Sequence, residues 1–257
     1  MKHKPIIRLN VLFLSILLLL SAPEVEAAKG GEAWDAALNS IDALYDGLTA
    51  VQAGVKLQSA EVTALRKNNN EKLSVIKAKI KSIDQPLITR LSQESAGLQR
   101  KHASLLDQYT ALGKQATAAR KRKDKKKVDL LELKRNKLKP SATAASSEIK
   151  AKKAALAAAK KSAAAKAKIV KDALVPVQNL KKQITAKNKV IAAARKQLAA
   201  ANKRYKSNVK AGDAVGAMIN LKSVYDQTSQ VHISLKQVYE WENKIAKSLA
   251  AAAAKLP

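Results

Sequence analysis

Residues 149–205 read IKAKKAALAAAKKSAAAKAKIVKDALVPVQNLKKQITAKNKVIAAARKQLAAANKRY. Every seventh residue of this stretch is apolar or aromatic: Ile149, Leu156, Ala163, Val170, Val177, Ile184, Ile191, Leu198 and Tyr205. A strict seven-residue repeat keeps one seam of a helix against a partner and imposes a left-handed supercoil. The companion seam is mostly alanine, at Ala159, Ala173, Ala194 and Ala201, with Leu180 among them. Alanine buries little area per turn, so this seam is thin and favours close approach to a single partner helix.

The flanking sequence supplies partners. Alternating steps of three and four give Trp34, Ala37, Ile41, Leu44, Leu48, Val51, Val55, Gln58, Val62 and Leu65. The same steps near the other end give Leu221, Val224, Thr228, Val231, Leu235, Val238, Glu242, Ile245 and Leu249. Between them, Leu73, Ile76, Ile80, Ile83 and Leu87 shift frame to Leu91, Leu98, Leu105 and Leu112. The shift falls at Pro86, where a bend is expected, and Pro176 is expected to bend the later helix. Three sites read as breaks: Asn68-Asn69-Asn70, the stretch from Lys139-Pro140-Ser141 to Ser147, and Ala211-Gly212-Asp213. The last combines a C-terminal glycine with an aspartate N-cap.

These readings predict an all-α chain with helices near 33–67, 71–138, 147–210 and 213–254. The expected fold is a long antiparallel coiled-coil hairpin over 71–210, turning near 139–146. Terminal helices within 28–70 and 211–257 fold back on its base to make four helices there. The alternative is a two-helix rod without fold-back.

The rest of the composition narrows the function. The 257 residues include no cysteine, which excludes disulfide frameworks, zinc ribbons, iron–sulfur sites and thiol catalysis. Lys2, Lys4 and Arg8 precede an apolar run over 11–22, and Val25-Glu26-Ala27 offers a cleavage site. Residues 1–27 therefore read as a secretory signal, with no transmembrane segment after cleavage. The expected location is secreted, cell-wall-associated or periplasmic.

The formal net charge is +29, and it is unevenly placed. Residues 28–113 carry 11 basic and 9 acidic side chains, whereas 114–171 carry 20 and 4. Within that basic tip, the candidate polyanion-binding residues are Arg120, Lys121, Arg122, Lys123, Lys125, Lys126, Lys127, Lys134, Arg135, Lys137 and Lys139. Beyond the expected turn they continue with Lys150, Lys152 and Lys153. Converging like charges repel, so the tip either frays at low salt or is ordered by a polyanion. The Ala/Lys run over 142–171 resembles the low-complexity tails of linker histones and the lysine-rich tail of mycobacterial heparin-binding haemagglutinin. That resemblance is compositional and implies polyanion affinity. Between Tyr109 and Tyr205 there is no aromatic residue, so the base-stacking platform of a single-strand binder is missing.

No nucleophile motif, phosphate loop or dinucleotide fingerprint is present. His102 and His232 are far apart in sequence, and the Tyr225–His232–Tyr239 stripe reads as the shoulder of a core. The reading is therefore a non-enzymatic coiled-coil protein with no cofactor or metal. Its expected partners are teichoic acid, lipopolysaccharide, anionic lipid, extracellular DNA or sulfated glycan. A protein partner or second copy is expected along helices 33–67 and 213–254. Two alternatives stand beside it. The exported, cysteine-free, basic, helical-armed design is similar to the Skp family of periplasmic holdases, which implies a small β-body. It also resembles the exported coiled coils that precede some peptidoglycan hydrolase domains, which implies a scaffold acting in trans on wall enzymes.

Overall fold

The computed structural model describes residues 30–257, and the expected signal over 1–27 lies outside them. Five helices follow in order: α1 (Gly30–Ser82), α2 (Gln85–Lys121), α3 (Lys125–Ala173), α4 (Val175–Lys210) and α5 (Ala214–Ala253). The described residues contain no strand, so the β-body implied by the Skp resemblance is not among them. The fold is an all-α helical hairpin. The described residues group into two compact units, one from residues 30–61 with Thr185–Val238, the other from Val62–Ile184 with Tyr239–Pro257.

In the first unit, α1 runs parallel to α5, because Gly47 packs on Tyr225 and Gly54 on His232. Helix α4 is antiparallel to α5, with Arg204 bonded to Asn220 and Asn208 to Asp213. The core gathers Leu44, Leu48, Ala201, Leu221 and Val224, flanked by Ile41, Leu198 and Tyr205. A Cβ at position 54 would lie 2.7 Å from His232 Cε1, so a helical glycine leaves room for the imidazole. Burial and nearby Lys236 hold the His232 pKa below its ordinary value. Tyr205, desolvated and bonded to Tyr45 at 2.9 Å, is pushed up to about 12. The Tyr225–His232 stripe is thus packed against two glycines one heptad apart.

In the second unit, α2 and α3 are antiparallel. Asp84 meets Lys166, Glu94 meets Lys152 and His102 meets Glu148, so one number rises as the other falls. The end of α1 pairs with α4 through Asn70 and Lys181 at 2.7 Å. It also meets α5 through a buried polar layer. Asn69, 1% exposed, donates from Nδ2 to the Glu242 carbonyl at 2.8 Å and to its Oε2 at 2.9 Å. Arg66 Nε donates to Glu242 Oε1 at 2.8 Å.

The repeat read from the sequence is the buried seam. Ala163, Val170, Val177, Ile184 and Ile191 are buried, and so are Leu221 through Leu249 at every seam position, Thr228 and Glu242 included. Trp34 departs from its expected seam, being 46% exposed. The bends at the prolines are also present: α1 ends before Pro86 and α3 ends before Pro176. Proline lacks an N–H and crowds the carbonyl four residues back, which interrupts the helical ladder. At the first bend Asp84 takes φ 54°, a left-handed conformation that aspartate tolerates better than most residues.

Two boundaries differ from the sequence expectation, and with the first of them the expected N-terminal fold-back. Asn68–Asn70 does not break the chain, and α1 runs through it. Asn69 stands in the 62–65–69–73–76 continuation of the seam, so it faces a partner helix and caps nothing. Among the described residues no separate N-terminal helix over 28–70 folds back, so the first unit shows three helical segments there in place of the expected four. The hairpin also does not turn at 139–146. Helix α3 passes through Pro140, which lies on its exposed face, where the carbonyl released by the missing N–H meets water.

Candidate polyanion-binding end of the hairpin

The reversal between α2 and α3 occupies Arg122-Lys123-Asp124. The Asp124 N–H donates to the Ala119 carbonyl at 3.2 Å and the Lys123 N–H to that of Arg120 at 3.1 Å. These are the paired bonds of a Schellman cap, with Lys123 in the left-handed position at φ 61°. Asp124 Oδ1 then accepts from the Lys127 N–H at 3.0 Å and opens α3. Ala116, Ala119, Val128 and Leu131, with Leu112, form the small core beneath the turn.

This placement puts the densest charge of the chain on the reversal itself. Seven of the eight residues from Arg120 to Lys127 are basic, and all eight are exposed. Arg120 is paired with Glu132 across the turn. Lys121, Arg122, Lys123, Lys125, Lys126 and Lys127 have no ion pair among the described residues. Lys134, Lys137 and Lys139 follow as exposed side chains within about four turns of the α3 start.

The structure does not bring every candidate together. Lys150 lies 25 residues beyond Lys125, roughly 40 Å along α3 at the helical rise. Lys150 and Lys153 are exposed there, away from the reversal. Lys152 is engaged with Glu94 at 2.7 Å, and that hydrogen bond holds the Glu94 carboxyl below its ordinary range. The expected basic tip over 114–171 is therefore recentred on 114–139.

Arg135 is placed differently from the other candidates. It is half-buried, with its guanidinium carbon 4.6 Å from the centroid of the Tyr109 ring. Tyr109, Thr110, Gly113, Lys114 and Thr117 line an open groove of about 470 Å³ with it. Sequence reading missed this arrangement because a turn at 139–146 would not set Tyr109 opposite Arg135. With the turn at 122–124, an aromatic ring does face the basic block.

The two histidines among the described residues, His102 and His232, serve separate places. His102 Nε2 lies 3.0 Å from Glu148 in one unit, and His232 packs against Gly54 in the other. Among the described residues, no three His, Asp or Glu side chains gather as a metal site, and no helix is long and apolar enough to cross a membrane. No protein-family model, curated protein or solved structure matches the chain.

Proposed function

We propose that this chain is an exported, non-enzymatic coiled-coil interaction protein. Its basic hairpin end binds an anionic polymer of the cell envelope or extracellular space. The observation that carries the reading is the run Arg120–Lys127, seven cations exposed on one tight reversal, where Glu132 is the only acidic residue among the described residues that engages them through an ion pair. Such a cluster repels itself, and a polyanion relieves the repulsion while releasing its own condensed counterions. Binding then weakens as salt rises, with each engaged phosphate contributing about 0.7–0.9 to the logarithmic salt slope.

The test is retention of residues 28–257 on immobilised polyphosphate across a sodium chloride series. A variant with the seven cations of 120–127 changed to glutamine is expected to elute at far lower salt and with a shallower slope. Equal retention of variant and parent rules out the hairpin end as the binding surface. The export reading is checked by fractionating cells that express the full chain, where a cytoplasmic, uncleaved product contradicts it.

A further inference from the structure

Arg135 is held in place without an acidic partner. Tyr109 stacks on one side of its guanidinium. A Cβ on Gly113 would come within 3.3 Å of its Nε, so the glycine leaves the guanidinium its room. That Nε is buried and has no hydrogen-bond partner. Among the described residues no carboxylate forms an ion pair with Arg135, although Arg120, one turn from the reversal, has Glu132. The groove beside it is lined by a second cation, Lys114, and by the hydroxyl residues Thr110 and Thr117, with no acidic residue in its wall. Thr117 donates its proton to the Gly113 carbonyl at 3.0 Å, which ties its hydroxyl down, and Thr110 is exposed.

A fixed guanidinium presents a planar fork of donors suited to an oxyanion, and a stacked arginine loses little side-chain freedom when it binds one. We infer that this groove seats one phosphate- or sulfate-ester group of the bound polymer, with Arg135 as the positioned donor and Lys114 as the second cation. The inference rests on the polyanion-binding reading and adds to it a defined seat within an otherwise diffuse field of lysines. The exposed lysines of 121–127 attract the polymer, and the groove sets where one of its ester groups sits.

The test uses residues 28–257 with polyphosphate and heparin as the phosphate and sulfate probes, at one fixed salt concentration. Arg135→Gln is expected to weaken polyphosphate binding about tenfold, the scale of a lost charge-assisted pair. Lys139→Gln, which removes an equal charge from an exposed site, is expected to cost less than about threefold. Arg135→Lys keeps the charge and is expected to recover little, because an ammonium neither stacks nor forks. Gly113→Ala keeps every charge and crowds the guanidinium, so it also weakens binding. It carries the test if circular dichroism shows that Arg135→Gln does not fold. Loss on one probe alone assigns the seat to that ester, and loss on both shows that it takes either. If Arg135→Gln and Lys139→Gln lose the same small factor, and Gly113→Ala binds like the parent, there is no seat and the diffuse basic end remains. If the parent binds neither polymer, the polyanion reading fails, and the seat with it.

Discussion

Lys123 and Gly212 occupy the same place in the same motif. Each is the left-handed residue of a Schellman cap, at φ 61° and 70°, and each is followed by an aspartate that caps the next helix. The Asp213 N–H donates to the Asn208 carbonyl at 3.0 Å, as the Asp124 N–H does to Ala119. Glycine enters this conformation freely, while a lysine Cβ is crowded by the following carbonyl at a cost of about 1–2 kcal/mol. Lys123→Gly is therefore expected to raise stability by about 1 kcal/mol in urea unfolding. A lower urea midpoint would contradict the left-handed reversal at 123. The comparison also explains why one turn was readable and the other was not. Ala211-Gly212-Asp213 announces itself through glycine, whereas Arg122-Lys123-Asp124 hides the same backbone under charge, leaving Asp124 as its one local signal.

At the scale of the helices, the heptads carried most of the fold. The nine-position repeat from Ile149 to Tyr205 lies on the packed side of α3 and α4, and Pro86 and Pro176 mark the two bends. Whether a polar residue or a proline breaks a helix depends on which side of the helix it occupies, and composition alone does not show that side. Asn69 is on the seam, satisfied in part by Glu242, so the helix continues through it. Pro140 is on the outer face of α3, between buried Leu131 and Ala142, and the packing on either side holds the helix across it. An interior proline still costs a helix about 3 kcal/mol relative to alanine. Pro140→Ala is expected to stabilise the protein by about 1–3 kcal/mol, part of that cost being offset by hydration of the exposed carbonyl. A clear loss of stability would instead mean that the chain needs a reversal there. The candidate site was legible as charge in Arg120–Lys127, but its geometry was not. The pairing of Tyr109 with Arg135 depends on the register, and a misplaced turn changes every cross-helix neighbour.

For the molecule as a whole, charge and core are distributed in opposite ways. Residues 28–113 are nearly neutral, and the excess of positive charge gathers over 114–171 around an alanine-rich seam. A thin seam beneath repelling lysines is expected to be a locally weak part of the fold, opening at a lower free energy than the leucine- and valine-rich seams elsewhere. Ligand binding to the closed form raises local stability with ligand concentration. These two statements make the central claim measurable residue by residue. Amide hydrogen exchange of residues 28–257, with and without saturating polyphosphate at low salt, tests it most directly. The account predicts slowed exchange concentrated in 114–139, with little change over 40–60 and 220–238. Protection spread evenly along the chain, or strongest outside 114–139, would contradict it.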